Sequence, residues 1–264
     1  MGNTITFLGT GTSQGIPMIG CGCEVCSSSD TRDKRLRTSA LVIYEGVSIL
    51  IDAGPDFRQQ MLREKISHLD AIILTHQHKD HTGGLDDVRA LNYLEKCATP
   101  IYCEKKVEQS LRMEYSYVFA QQKYPGVPEF NIKIIDDTPF TITGFNRTEV
   151  TIIPIRVMHY RLPILGFRIG GLTYITDANF IADEEYEKLT DTSIFVINTV
   201  KRTKHISHYS LPEAIKVAKR VGAQRTFITH LSHQLPPHKQ LKKELSAQPF
   251  SIEPAYDGLT IEFL

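Results

Sequence analysis

The chain has 264 residues, of which 41% are hydrophobic, so it is long enough to bury a sizeable core. Its 30 basic and 30 acidic side chains cancel, and this balance gives no support for a protein that binds polyanions through its bulk charge. No apolar run approaches the roughly 20 residues that cross a bilayer. The first residues also lack the pattern of a secretory signal. We therefore expect no membrane partner and a cytoplasmic location.

The first half of the chain alternates short apolar runs with turns. Residues 5–8 are strand-like and end in the glycine-rich segment 9–15, which suits either a simple turn or a loop that presents backbone N–H groups to an anion. Residues 39–44 and 47–51 predict two strands joined as a hairpin. Further predicted elements are a helix over 56–64, a strand over 71–75 and helices over 84–95 and 105–121.

The second half interleaves strands and helices without a proline-rich or serine-rich linker. Ser210, Pro212 and Glu213 have the spacing of a helix start, in which a serine caps the helix and a glutamate follows three residues later. The predicted strands cover 151–157, 165–169, 172–176, 194–198 and 226–229, and the predicted helices cover 182–189 and 211–221. Residues 1–264 therefore predict one α+β domain.

Four potential metal ligands lie within six positions, directly after the apolar strand 71–75: His76, His78, Asp80 and His81. Imidazole and carboxylate groups suit zinc, manganese and iron. A turn after a strand lets neighbouring side chains converge, whereas alternate residues of a continuing strand face opposite ways. The cluster therefore predicts a metal site at the end of this strand.

Three further candidate ligands each follow an apolar, strand-like run: His159, Asp177 and His230. Strand ends that lie side by side bring such residues to one edge of a sheet, so we interpret them as partners of the histidine cluster. Asp52 also ends a strand and is a candidate acceptor that orients a ligand histidine without touching the metal itself.

A second metal site is predicted from the cysteines. Cys21, Cys23 and Cys26 lie within six residues, and such a cluster in a reducing compartment is typical of metal binding rather than of disulfides. A structural zinc site needs a fourth ligand, and His233, three residues after His230, is the best candidate. This zinc would attach an N-terminal loop to the C-terminal part of the fold.

The pattern formed by these residues resembles the metallo-β-lactamase superfamily over essentially the whole chain. The resemblance implies an αββα sandwich with two metals at one edge of the paired sheets. Carried over by position, it implies that Asp177 bridges the two metals. It assigns the other ligands as His76, His78 and His159 for one metal and Asp80, His81 and His230 for the second.

The cysteine cluster and residues 229–234 resemble one branch of that superfamily, the phosphoribosyl 1,2-cyclic phosphate phosphodiesterases of the carbon–phosphorus lyase pathway. This implies a small phosphodiester substrate and a homodimer as one option. It also implies a catalytic His208, so we expect turnover to depend on Asp80 and His208. Residues 198–201 depart from the pattern of the branch and leave the substrate open.

Alternatives remain open at this point. One is a tRNA 3′-processing type of endonuclease, which we do not favour because the sequence shows no long arm and no long basic cluster. Another is a non-catalytic metal-binding protein of a cofactor pathway. The two active-site metals are predicted to be zinc or manganese, with iron as a further option. The arginines considered as phosphate contacts are Arg35, Arg37, Arg161 and Arg168.

Overall fold

The structure is a computed structural model that describes residues 2–263. The strands are β1 (Asn3–Gly9), β2 (Ser39–Tyr44), β3 (Val47–Ile51), β4 (Ala71–Ile73), β5 (Thr99–Cys103), β6 (Phe130–Ile134), β7 (Phe140–Thr143), β8 (Glu149–His159), β9 (Leu162–Ile169), β10 (Leu172–Ile175), β11 (Phe180–Ile181), β12 (Ile194–Asn198), β13 (Arg225–Thr229), β14 (Ile252–Pro254) and β15 (Thr260–Phe263). The α-helices are α1 (Phe57–Arg63), α2 (Lys79–Thr82), α3 (Arg89–Glu95), α4 (Lys105–Glu114), α5 (Leu211–Val221) and α6 (His238–Leu245). Short 3₁₀ helices cover Thr31–Asp33, Leu85–Val88 and Asp183–Leu189.

Two mixed sheets pack face to face. The first has the strand order β15-β1-β2-β3-β4-β5-β6, and the second has the order β11-β8-β9-β10-β12-β13-β14, with β7 paired to β8. Alternate side chains of a strand point to opposite faces of its sheet. In β3, Ile49 and Ile51 therefore lie in the core between the sheets, and Leu50 lies on the outer face. Phe7 of the first sheet meets Phe227 of the second, with ring centroids 5.7 Å apart.

Helices cover both outer faces of the paired sheets. Phe57 of α1, Leu91 of α3 and Leu111 of α4 pack against the first sheet, and Leu211 of α5 and Leu241 of α6 pack against the second. The layer order is helix, sheet, sheet, helix, which confirms the predicted α+β sandwich. Among the helices of the described residues, none is both long and apolar enough to cross a membrane.

Most predicted elements exist, but several helices differ from their predicted extent. The strands 39–44, 47–51 and 194–198 and the helix 211–221 have the predicted bounds. The prediction of a continuous helix over 84–95 is wrong, because Leu85–Val88 is a 3₁₀ turn before α3, and residues 182–189 likewise form a 3₁₀ helix over Asp183–Leu189.

The predicted helix 105–121 is too long, since α4 ends at Glu114. The next residue, Tyr115, is buried and donates its hydroxyl hydrogen to the Thr82 carbonyl at 2.8 Å. This contact fixes the end of α4 against the segment that contains His78 and His81. Tertiary packing therefore decides where the helix ends, and periodicity alone does not reveal it.

The topology brings the ends of several strands to one edge of the molecule. Strands β3 and β4 run parallel in the first sheet, and β10, β12 and β13 run parallel in the second. Strand β8 has the same direction as β10, because each is antiparallel to β9. Every candidate ligand that follows one of these strands therefore lies at the same edge of the sandwich.

Candidate metal centre

One cluster of ring nitrogens is formed by His76, His78 and His159, whose candidate ligand atoms all lie within 4.8 Å of one another. Nε2 of His76 is 3.0 Å from Nδ1 of His78. Nδ1 of His159 donates to the Asp177 carbonyl at 2.7 Å, and that bond leaves Nε2 of His159 to accept a metal. The Thr75 hydroxyl lies 2.9 Å from Nδ1 of His76 and fixes that ring.

A second cluster is formed by Asp80, His81, Asp177 and His230. The two carboxylate oxygens of Asp177 point in different directions. Oδ2 lies 3.1 Å from Nε2 of His81, and Oδ1 lies 3.1 Å from Nε2 of His230. Asp80 completes the group at 3.3 Å from Nε2 of His81.

The donor set fits a divalent metal. Nε2 of His81 and both ring nitrogens of His230 are buried and have no hydrogen-bond partner among the described residues. Buried nitrogens without a hydrogen-bond partner are costly. A metal ion bound between these nitrogens and the carboxylate oxygens would provide the missing partner. Ligands held roughly 2.0–2.1 Å from a tetrahedral zinc are separated by about 3.3 Å, which is close to the spacing of His81, Asp80 and Asp177.

Asp52 lies behind the second cluster, where the sequence places an orienting acceptor. Its Oδ2 accepts from Nδ1 of His81 at 2.7 Å, which leaves Nε2 of His81 facing Asp177. The backbone N–H and hydroxyl of Thr75 donate to Asp52 at 2.8 and 2.9 Å. The carboxylate is therefore fixed on both sides and holds the His81 ring in one orientation.

Three residues of the site have left-handed backbone within two residues of a strand end: Asp52 with φ 61°, Asp177 with φ 58° and His230 with φ 56°. Non-glycine residues rarely adopt this conformation, which costs roughly 1–3 kcal/mol each. The chain leaves its strand abruptly at each point and turns the polar side chain toward the clusters. The rest of the fold must stabilise these conformations.

The histidines and the carboxylate of the second cluster shift one another's pKa values. Burial opposes protonation of His81, yet Asp177 and Asp52 outweigh it and raise its pKa well above the usual range. Burial also lowers the pKa of His230, but Asp177 reverses this and raises it to about 9. Burial opposes ionisation of Asp177 too, and His230 and His81 nevertheless hold its pKa well below the usual range. Bound metals would replace these protons.

His208, the histidine that the family resemblance implies to be catalytic, lies beside the second cluster. Its Nε2 is 2.9 Å from Oδ1 of Asp177, and its ring stacks on that of His230 with centroids 4.9 Å apart. Burial lowers the pKa of His208 to about 4, and the hydrogen bond to Asp177 offsets this only in part. Nδ1 of His205 lies 3.1 Å from Nδ1 of His208.

The residues predicted to hold a structural zinc also come together. Nδ1 of His233 lies 3.3 Å from Sγ of Cys21 and 3.4 Å from Sγ of Cys23, and the Cys26 thiol belongs to the same group. The backbone N–H of Cys26, followed by His233, lowers the pKa of Cys23 to about 6. A thiolate is the form that binds zinc, so the donor chemistry fits a Cys₃His site.

Only one of the four arginines considered for phosphate contact adjoins the site. Arg161 lines a cavity together with His78 and His159. The others are engaged elsewhere: Arg35 with Thr10 and the Ala255 carbonyl, Arg37 with Asp56, and Arg168 with the Gly170 and Lys188 carbonyls.

Comparison with protein families gives one match, a beta-lactamase superfamily domain over residues 48–231. A protein of Porphyromonas gingivalis described as an octanoyltransferase is 43% identical over 256 residues, which is 96% of this chain and 50% of that protein. Coenzyme PQQ synthesis protein B of Methylorubrum extorquens is 32% identical over 110 residues, which is 36% of this chain and 37% of that protein. The chain thus spans about half of the first relative's length and matches a smaller share of the second.

Among solved structures, a diphosphatase from the PhnP family has a TM-score of 0.88 and 38% identity, covering 99% of this chain and 98% of that one. Zn²⁺-bound PqqB from Methylobacterium extorquens has a TM-score of 0.75 and 18% identity, covering 98% and 100%. The short form of human tRNase Z has a TM-score of 0.69 and 16% identity, covering 99% of both chains. The last two comparisons bear on the fold alone.

Proposed function

Because this chain belongs to the beta-lactamase superfamily, we propose that it is a metal-dependent hydrolase, and more specifically a phosphodiesterase with two active-site metals. The finer part of the proposal is that the substrate is a small cyclic phosphate, such as phosphoribosyl 1,2-cyclic phosphate. Support comes from the 38% identity to the diphosphatase of the PhnP family, which extends over almost the whole of both chains.

The observation that carries the proposal is the position of Asp177. Its two carboxylate oxygens face His81 and His230 of the second cluster, and a carboxylate oxygen also lies within 4.8 Å of a ring nitrogen of His159 in the first cluster. A carboxylate placed between two groups of ligands is what a shared site for two cations requires. A single-metal site would leave one of the clusters without an occupant.

The residues present fit two metals. His76, His78 and His159 would hold one, Asp80, His81 and His230 the other, and Asp177 both. Divalent metals bound there would polarise a phosphoryl oxygen and make a water molecule more acidic. The mixture of imidazole and carboxylate suits zinc or manganese and also accepts iron. The cysteine group with His233 would hold one structural zinc.

The chain's own residues supply orientation and proton handling. Asp52 keeps Nδ1 of His81 engaged, so that only Nε2 faces the centre. His208 is half-buried beside Asp177, within reach of a group bound there. We propose that His208 donates a proton to the leaving oxygen or contacts a phosphoryl oxygen. Asp80 is required because it completes the second cluster.

Other functions have weaker support. The similarity to tRNase Z supports the fold only. The name octanoyltransferase belongs to a relative twice as long as the part that this chain matches, so it gives weak support for that activity here. A role in a cofactor pathway has only the partial match to coenzyme PQQ synthesis protein B as support. We propose further that residues 1–264 act as one hydrolase domain, with a small phosphodiester as partner and a homodimer as one arrangement.

A substrate screen tests the proposal. Purified protein is analysed for metal content, loaded with manganese or zinc, and offered ribose cyclic phosphates, bis(p-nitrophenyl) phosphate, precursor tRNA and an octanoyl thioester. The proposal predicts about three equivalents of metal and fastest turnover of a cyclic phosphate. Bound metal without any diesterase activity would favour the binding role, and preferred cleavage of precursor tRNA would favour the endonuclease.

A further inference from the structure

Asn198 is a buried polar side chain that lies beside the candidate metal centre but belongs to neither ligand cluster. It is the last residue of β12, and it falls within residues 198–201, where the sequence departs from the branch that it resembles. Strand β12 lies between β10 and β13 in the second sheet. Asn198 is therefore placed between the two strand ends that precede Asp177 and His230.

The side-chain amide of Asn198 binds both backbone groups of Ala178, the residue directly after Asp177. Its Oδ1 accepts from the Ala178 N–H at 2.7 Å, and its Nδ2 donates to the Ala178 carbonyl at 2.9 Å. These two partners define the orientation of the amide, because only its oxygen accepts and only its nitrogen donates. One planar group therefore fixes the peptide bonds on both sides of Ala178, including the one that joins it to Asp177.

Asp177 has a backbone conformation that needs such support. Its φ of 58° lies in the left-handed region, which non-glycine residues rarely adopt. In this conformation its Oδ2 lies 3.1 Å from Nε2 of His81, and its Oδ1 lies 3.1 Å from Nε2 of His230. Rotation of the peptide bond after Asp177 would move both oxygens. The peptide bond that Asn198 holds thus determines where the carboxylate lies.

We propose that Asn198 is a positioning residue of the metal centre, whose amide holds the Asp177 carboxylate between the two ligand clusters. The inference rests on the proposed function, since it takes Asp177 as the ligand that two metals share. Alanine at position 198 forms neither bond. The Ala178 carbonyl keeps one partner, because the Tyr209 N–H also donates to it at 2.8 Å, whereas the Ala178 N–H loses its acceptor. The change therefore acts mainly on the peptide bond next to Asp177.

Asn92 provides a matched control, because its amide makes the same pair of bonds away from the candidate ligands. Its Oδ1 accepts from the Glu129 N–H at 2.9 Å, and its Nδ2 donates to the Glu129 carbonyl at 3.2 Å. Its other partners are the Cys97 carbonyl and the Thr99 hydroxyl. None of these residues belongs to a candidate metal site. Asn92→Ala thus removes a two-sided amide contact without changing the support of a ligand.

The test measures manganese binding at the centre with no substrate present. Zinc is first placed in the cysteine group, and manganese is then titrated in competition with a chelator of known affinity. Asn198→Ala weakens the binding of at least one active-site manganese by roughly 10-fold to 100-fold, since a ligand loses its support. Asn198→Ser gives the same result, because serine is too short to reach both backbone groups of Ala178. Asn92→Ala keeps the wild-type affinity.

Electron paramagnetic resonance of the manganese-loaded proteins gives a second readout, which a loss of stability alone does not change. Manganese ions that share a bridging carboxylate couple magnetically, and displacement of that carboxylate weakens the coupling. Asn198→Ala therefore has a larger fraction of uncoupled manganese than the wild-type protein or Asn92→Ala.

The positioning role is refuted if the Asn198 variants and Asn92→Ala bind manganese equally well. Melting temperatures show whether each variant is folded. If both Asn198 variants fail to fold while Asn92→Ala folds, Asn198 supports the fold as a whole, and the proposal is wrong. Failure of the proposed function is a different result. Wild-type protein that binds manganese at the centre but hydrolyses no phosphodiester refutes the function alone, and the same affinities still decide the role of Asn198. Wild-type protein that binds metal only in the cysteine group contradicts both.

Discussion

Asp52, Asp177 and His230 share a left-handed backbone within two residues of a strand end, and each places polar atoms at the candidate metal centre. Sequence patterns identify these residues, because a polar residue after an apolar run marks a strand end. The patterns do not reveal the backbone conformation, since aspartate and histidine adopt positive φ more often than most residues but still do so in a minority of cases.

At the scale of single residues, Asp52 provides a test of how the centre is supported. Asp52→Asn removes the anionic acceptor of the His81 Nδ1 hydrogen. We expect metal affinity at the centre to fall by roughly 10-fold to 100-fold, measured by competition with a chelator of known affinity.

Asp191→Asn is its matched control. Asp191 is exposed and has the same left-handed backbone, with φ 61°. This variant keeps wild-type metal affinity. Equal affinities in the Asp52 and Asp191 variants would show that Asp52 does not orient a ligand.

At the scale of secondary structure, prediction succeeded where local signals and tertiary contacts agree. Helix α5 has the predicted bounds, because Ser210 and Glu213 mark its start and Gly222, with φ 69°, ends it. Helix α4 ends earlier than predicted, since Tyr115 leaves the helix to bond the Thr82 carbonyl. Such a contact joins residues far apart in the chain, so local periodicity does not contain it.

The start of α5 gives a stability prediction. The Glu213 carboxylate accepts from the Ser210 N–H at 2.8 Å and from its hydroxyl at 2.6 Å. Glu213→Ala leaves that N–H without its partner and lowers the free energy of unfolding by about 1 kcal/mol. Glu213→Gln preserves an acceptor and loses less. Urea unfolding of the two variants measures the difference in their free energies of unfolding. Equal values for Glu213→Ala and Glu213→Gln would rule out the capping role.

The cysteine loop gives a prediction for the structural zinc. Cys23→Ser removes one member of the group with His233. We expect it to lose one equivalent of zinc and to lower Tm by at least roughly 5 °C. Cys97→Ser, at a free thiol outside the group, keeps the zinc. Unchanged zinc content in Cys23→Ser, measured by elemental analysis, would refute the site.

At the scale of the whole molecule, the order of the two sheets follows from long-range pairing that no local pattern encodes. The strands β15 and β1 lie side by side although they come from opposite ends of the chain. The αββα sandwich was predicted from the resemblance of the ligand pattern to a known superfamily, whereas the periodicity of apolar residues predicted only the separate strands and helices. The buried contacts of Arg35 with Thr10 and Ala255 link the same distant regions.

His238 contacts Arg35, and its titration predicts how the stability of the fold depends on pH. Its ring lies 3.3 Å from the Arg35 guanidinium, and burial, followed by Arg35, lowers its pKa to about 4. An unfolded chain has a histidine pKa of about 6.5. Between these values the unfolded chain binds a proton that the folded chain does not, so stability falls as pH drops from 6.5 toward 4.

The contribution of His238 is measured with His238→Gln. Wild-type protein loses about 2 kcal/mol more unfolding free energy than the variant between pH 7.5 and pH 5. Comparing the two proteins cancels the contributions of the other histidines. Urea unfolding at both pH values gives the difference. An equal loss in both proteins would show that His238 titrates normally in the fold.

The central claim is that a two-metal centre built around His76, His78, Asp80 and His81 hydrolyses phosphodiesters. Its most direct test is the rate at which manganese-loaded Asp80→Ala hydrolyses bis(p-nitrophenyl) phosphate, with zinc in the cysteine site measured on the same sample. We predict a loss of at least roughly 1,000-fold in kcat/KM, with one equivalent of zinc retained by the Cys21, Cys23, Cys26 and His233 group. Full activity in Asp80→Ala would contradict the two-metal account.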